Sequence, residues 1–258
     1  MFSFQMPGQA ARRRARQRGL SLYVILMVVL LSMLLSLWAS RTALIHEMVV
    51  GNDADYQRTF EAAQAMLQDA ELDIRHQNPD GSVCASAQFC RTGSRYHLPS
   101  VNDNNYVVTL LALLDQEQTK CKNGLCLKRT GAQDFWNDHD ARSPNSFEKM
   151  IAAGVGARFG QFTGAKADDD NAASILNDTD NGQGAWYWIE ILPYFSSENQ
   201  GGGNALLVDV NPKSQNKYRV LMNHLNPAVV YRITAVAKGR RNALVALQQT
   251  YVRQQVIE

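Results

Sequence analysis

The chain has 258 residues, 45% of them apolar and 19% charged, which excludes a disordered polymer and leaves one medium domain or a small domain with an appendage. Its formal charge of +2 is unevenly spread: Arg12, Arg13, Arg14, Arg16 and Arg18 stand without an acid in residues 1–18, and the remainder carries 21 basic against 24 acidic residues, a net −3. A nucleic-acid binder needs a basic face on its folded domain, so basicity confined to a short arm sets nucleic acid aside as a partner.

After Gly19, the twenty residues Leu20 to Ala39 contain no charge, proline or glycine. At 1.5 Å per residue they span about 30 Å, one hydrocarbon core, and predict a single membrane helix. Ser21, Ser32 and Ser36 are compatible with it, because a helical hydroxyl bonds the carbonyl one turn back. Arginines before the helix and only Arg41 close behind it predict a cytoplasmic N-terminus and an exported body. Leu37-Trp38-Ala39-Ser40 makes a poor signal-peptidase site. The alternative boundary is Gln17-Arg18-Gly19-Leu20, a basic leader ending in glycine against the apolar helix, which resembles a type IV prepilin leader. Cleavage after Gly19 leaves the helix in the mature protein. The expected organisation is a leader over 1–19, a membrane helix over 20–39, an amphipathic continuation over 40–77 and an exported body over 78–258.

Between Leu20 and the Asn78-Pro79-Asp80-Gly81 turn there is no proline and one glycine, Gly51. Tyr56, Phe60, Ala63, Leu67, Ala70 and Ile74 recur at helical spacing and predict an apolar stripe, with Asp55, Arg58, Glu61, Gln68, Asp69 and Asp73 on the remaining surface. The two helical segments read as one helix of about 55 residues, roughly 80 Å. A kink at Gly51-Asn52-Asp53, or an anchor, a linker and a separate helix, are the alternatives.

Several segments together resemble the PilX-type minor pilins. They are the leader ending in Gly19, the stretch from Leu44 to Asn52, and Phe60-Glu61-Ala62-Ala63-Gln64-Ala65-Met66-Leu67-Gln68-Asp69-Ala70-Glu71, where the family pattern has an aromatic followed by Ala-Ala-Glu and a leucine. Near the C-terminus the match continues in Tyr231-Arg232-Ile233-Thr234-Ala235 and, after Gly239, in Val245-Ala246-Leu247-Gln248. Two positions depart from the pattern. Gln64 replaces the glutamate of Ala-Ala-Glu, and the glutamate that major pilins carry at the fifth mature position is Val24 here. In a fibre that carboxylate would lie in an apolar core and need the neighbouring subunit's terminal ammonium as partner. A subunit without it suits a place at or near the fibre tip; entry by apolar packing alone is the alternative.

The body carries Cys84, Cys90, Cys121 and Cys126, an even number in an exported domain, which reads as two disulfides. Closeness in sequence and polar loop flanks favour Cys84–Cys90 and Cys121–Cys126; the crossed connectivities stay open. Five and four intervening residues fit zinc poorly. Val107 to Leu114 is a buried element of undecided type, and Phe135 to Ala165 reads as short helical and irregular pieces. Ala185 to Leu192 reads as a strand whose aromatic run Trp186-Tyr187-Trp188 alternates across it, with at least one ring facing out or meeting a loop. Ala228 to Ala237 and Ala243 to Arg253 read as a hairpin around Lys238-Gly239-Arg240-Arg241-Asn242. The expected class is α+β, a long N-terminal helix packed on a C-terminal antiparallel sheet, which is also the pilin architecture the resemblance implies.

Candidate chemistry is sparse. Asp168, Asp170, Asn177, Asp178 and Asp180 supply hard oxygens for calcium. Asn177, Thr179, Asn181 and Gly182 imitate the start of an EF-hand loop, but its twelfth position is Trp188, and a solvated acidic loop is the preferred reading. Asp138-His139-Asp140 has no accompanying nucleophile or metal motif and reads as a surface loop. Gly201-Gly202-Gly203-Asn204 opens no apolar-periodic helix and reads as a loop, not a phosphate cradle. No firm cofactor and no enzyme activity are expected. The resemblance implies a minor pilin held in the inner membrane and later carried in an extracellular pilus, acting in assembly, tip formation, adhesion or twitching motility. Its implied partners are the prepilin peptidase, the major and other minor pilins, the assembly platform and a PilY-type tip adhesin. The alternatives are a type II secretion pseudopilin and a membrane-tethered periplasmic ligand-binding protein.

Overall fold

Residues Leu20–Arg75 form one α-helix, α1. The computed structural model describes residues 20–91, 93–99, 104–130, 132–168, 173–180, 182–193, 225–241 and 243–254. The leader with Gly19, the calcium candidate Asp170, Asn181, Asn242 and the glycines 201–203 lie outside them. The chain divides into two compact units, Met1–Gly51 and Asn52–Glu258.

In the first unit the described residues are helical and mostly apolar, and their large apolar side chains are exposed from Leu20 through Val50. Ser32 Oγ donates to the Val29 carbonyl at 2.9 Å and Ser36 Oγ to the Ser32 carbonyl at 2.8 Å, so these hydroxyls are satisfied within the helix. Among the described residues α1 is the one helix long and apolar enough to cross a membrane.

In the second unit, a five-stranded sheet runs in the order β1-β2-β3-β4-β5, with β1 Cys121–Lys122, β2 Leu125–Leu127, β3 Gly184–Pro193, β4 Leu225–Lys238 and β5 Leu244–Gln254. The class is α+β, and β3, β4 and β5 form the expected antiparallel core, with Ile189 opposite Ile233 and Ala235 opposite Leu247. The Cys121–Cys126 region, expected to be a loop, instead adds a small hairpin. Its β2 pairs parallel with β3, Leu125 beside Ile189, so the sheet is mixed and not purely antiparallel. Asn123 and Gly124 join β1 to β2 with φ of 51° and 78°, both in the left-handed region that two-residue hairpins demand.

Helix α2, Asn104–Gln116, settles the undecided segment: Val107, Leu110 and Leu114 recur at spacings of three and four and are fully buried. With Ala62, Ala63, Met66, Ala70 and Ile74 of α1 they cover one face of the sheet through Tyr187, Ile189, Ile191, Tyr231 and Ile233. Trp186 and Trp188 point to the other face. There they pack under an irregular layer containing Phe135, Phe147 and Met150, with Trp188 Nε1 donating to the Met150 carbonyl at 3.2 Å. The short helices of that layer, Phe135–Asn137 and α3 Phe147–Met150, match the expected irregular pieces. All three aromatics of the run are fully buried because both faces of β3 are covered.

The face that α1 buries includes Ala63, Ala70 and Ile74 of the expected stripe but extends well beyond it on one side. At 100° per residue, Asp55, Thr59, Ala62, Met66, Asp69 and Asp73 fall within about 40° of one direction, and all six are buried. Tyr56, expected in the stripe, is 53% exposed, and Phe60 and Leu67 are half-buried. The helix is rotated towards its aspartates because each finds a donor in the second unit.

Candidate functional site

The three inward aspartates sit on the part of α1 that belongs to the second unit, and they tie it to three different segments. Asp55 Oδ2 accepts from the Arg241 N–H at 2.9 Å, in the β4–β5 turn. At Gly239 of the same turn an added Cβ would lie 2.8 Å from Asp55 Oδ2 and would also meet Thr59 Oγ1, so only glycine allows this approach. Asp69 accepts from the Gly160 N–H at 2.8 Å and from Thr163 Oγ1. Burial raises its carboxyl from 3.8 to about 6, although both hydrogen bonds pull the other way.

Asp73 is the centre of the third link. Arg91 binds it through Nε and Nη2, at 2.8 and 2.7 Å, and Tyr187 donates its hydroxyl to Oδ2 at 2.9 Å. Arg91 Nη2 also donates to the Asn123 carbonyl at 2.8 Å. Helix, disulfide-bearing loop, β1–β2 turn and β3 therefore meet at one ion pair, both of whose side chains are 2% exposed. Burial works against the guanidinium charge, but Asp73 and then Tyr187 outweigh it and its pKa is raised. Burial and then Asp73 push the Tyr187 hydroxyl well above its ordinary range. On the opposite sheet face Glu190 accepts from Arg232 Nε at 2.6 Å and from the Arg129 N–H at 2.9 Å, fixing the irregular layer to β4.

Sequence spacing alone puts Asp55, Asp69 and Asp73 on the helix surface outside the apolar stripe. The available signal is that Asp55, Asp69 and Asp73 share a helix face with Ala62 and Met66, whereas a solvent face would carry them opposite those residues.

Of the sequence-designated residues, Leu20 is the first residue of α1 and 75% exposed, and Val24 is 56% exposed on the same helix. Cys84 is bonded to Cys90, and Cys121 to Cys126. Among the described residues the calcium candidates are not gathered. Asp168, Asn177 and Asp180 are exposed, Asp178 Oδ1 accepts from the Asp180 N–H at 3.0 Å, and the Asp178 carbonyl accepts from Arg158 Nη1 at 2.8 Å. Among the described residues no group of three or more His, Cys, Asp or Glu is placed to hold a metal. His139 is exposed and meets Glu148 at 2.8 Å. The geometry is that of a braced scaffold.

A family model described as type IV pilus assembly protein PilX, C-terminal, matches residues 122–253. Comparison with curated proteins and with solved structures finds no match. The matched segment covers just over half of the chain, begins at Lys122 within the β1–β2 hairpin, and includes the layer under Trp186 and Trp188 and the antiparallel core. With a membrane-length apolar helix ahead of that sheet, the chain belongs to the PilX family of type IV pilus assembly proteins.

Proposed function

We propose that the chain is a minor pilin precursor, cut after Gly19 by a prepilin peptidase and acting at or near the tip of a type IV pilus. The observation that carries this reading is the uninterrupted apolar helix beginning at Leu20, directly after a basic leader, in a chain of the PilX family. Before assembly the helix resides in the inner membrane with its N-terminus cytoplasmic. During assembly it exchanges lipid for a bundle of neighbouring apolar helices, a transfer that costs little because both surroundings are hydrocarbon.

The first acidic residue after Leu20 is Glu47, so a mature subunit carries no carboxylate near its N-terminus. A bulk subunit lacking that group cannot pair with its neighbour's terminal ammonium, whereas a tip subunit has no preceding neighbour to pair with. On this reading the head contacts other minor pilins, the major pilin and a PilY-type adhesin, and the assembly platform acts on the membrane form.

Replacing Gly19 by valine tests processing: the variant should accumulate as the full 258-residue precursor in the membrane. Quantitative mass spectrometry of sheared pili tests placement. The account expects a small minority relative to the major subunit, and equal abundance would overturn the tip position. Deletion should abolish twitching and leave protein secretion intact; the reverse phenotype would make the chain a pseudopilin.

A further inference from the structure

A cleft of about 470 Å³ lies in the second unit, walled by His76, Arg91, His97, Leu98, Phe162 and the Cys84–Cys90 disulfide. That volume is in the range of small-ligand sites. Leu98, Phe162 and the disulfide make much of the wall apolar. At its polar side Arg91, 4% exposed, uses Nε and Nη2 on Asp73 and the Asn123 carbonyl, while its Nη1 is buried with no hydrogen-bond partner among the described residues. His76 Nε2 is likewise buried and unpartnered. Buried polar atoms without partners are uncommon in folded chains, so a guanidinium donor and an imidazole nitrogen left open at one cleft mark a place for an incoming polar group.

The charge around the cleft selects the kind of acceptor. Asp73 is neutralised by Arg91. His76 faces Asp73 from its own helix, Arg91 and His97 from the disulfide-bearing segment, and Arg253 from β5. Arg253 forms no ion pair among the described residues, so the uncompensated charge they carry at the cleft is positive. Burial, then Arg253, keeps the His76 imidazole below its ordinary pKa. An anion relieves that repulsion, and a guanidinium edge matches a carboxylate best. Phe162 lies 3.5 Å from the guanidinium carbon and clamps the plane of the group, so Nη1 holds a fixed direction.

We propose that this cleft binds a carboxylate carried on an apolar body, as at the free C-terminus of a polypeptide, with Arg91 Nη1 donating to it and Leu98, Phe162 and the disulfide covering the body. The site is independent of the assembly role proposed above.

The test uses the full chain in detergent micelles, with three probes: the tripeptide N-acetyl-Ala-Val-Leu with a free carboxylate, its C-terminal amide, and sodium acetate. The free acid should bind at least about tenfold more tightly than the amide. Acetate at equal concentration should not displace it. The Arg91→Lys variant keeps a charge for Asp73 but loses Nη1, and should lose binding while retaining both disulfides. In the unaltered protein, the imidazole titration of His76, followed by NMR, should move upward when the acid binds. This last readout stands even if Arg91→Lys fails to fold. Equal affinity for acid and amide, no binding up to about 10 mM, or a His76 titration that does not respond would overturn the proposal. Displacement by acetate would reduce the site to an adventitious anion contact and overturn it too.

Discussion

Arg91 grips Asp73 through two nitrogens, at 2.8 and 2.7 Å, across eighteen residues of sequence, and the same Nη2 reaches the Asn123 carbonyl. This pair holds α1, the disulfide loop and the β1–β2 turn against β3. Removing one member strands a buried charge, which typically costs about 3–5 kcal/mol, whereas replacing both by apolar residues is far cheaper. Asp73→Ala should therefore destabilise by about that amount, and Asp73→Leu combined with Arg91→Met should cost less than Asp73→Ala alone. Thermal melting of the three proteins decides it. A double variant weaker than the single would show that packing, not charge, holds this junction.

Asp69 gives the head a pH dependence of opposite sign to that of most carboxylates. Its folded-state value of about 6 lies above the ordinary 3.8, so its contribution to stability is fully present below about 3.8 and is lost as pH rises through about 6. The difference over that window is about 3 kcal/mol at most. Asp69→Asn keeps an acceptor for the Gly160 N–H and presents an amide to Thr163 Oγ1. The variant should match the parent near pH 4 and exceed it in melting temperature near pH 7 (roughly the ends of that window). A parallel pair of stability curves across this range would contradict the assignment.

Much of this fold was legible in the sequence, and its failures have physical causes. The membrane helix and the strands β3, β4 and β5 follow from long runs whose period or β-branched content is unambiguous. The buried arc of α1 was drawn too narrow, because apolar periodicity cannot register a carboxylate that is buried with its donors, and those donors lie up to 186 residues away, as Arg241 does from Asp55. Asn123-Gly124 was a hairpin signal in plain view, but its strands are only two and three residues long and carry no periodicity of their own. Arg91 was invisible as a site residue, since nothing in its neighbourhood of the sequence announces Asp73, Tyr187 or Phe162.

Gly239 bears directly on the link between Asp55 and the β4–β5 turn. Its N–H donates to the Ala243 carbonyl at 2.7 Å while Asp55 and Thr59 crowd the place of a side chain. Gly239→Ala should destabilise the head by about 1–3 kcal/mol through overpacking. Gly81→Ala, whose added carbon meets nothing, should cost less, and only through its φ of +83°. If the two variants melted alike, the turn would not be pressed on α1 as described.

The disulfides should behave unequally. Each closes a short loop, with sequence separations of 6 and 5, so each contributes about 2 kcal/mol by loop entropy. Cys84 and Cys90 are both 9% exposed and line the cleft, whereas Cys121 and Cys126 are 1% and 0% exposed under the tryptophan layer. Graded reductant followed by alkylation and peptide mapping should label Cys84 and Cys90 first. Labelling of Cys121 and Cys126 first would mean that the layer over Trp186 and Trp188 opens more readily than the cleft.

The central claim, that this PilX-family chain is a processed pilin subunit, is tested most directly by N-terminal sequencing of the mature protein recovered from membranes and sheared pili. The mature chain should begin at Leu20, with the five leader arginines gone and the remaining 239 residues carrying a net −3. An intact start at Met1, or cleavage behind the helix near Ala39, would contradict it.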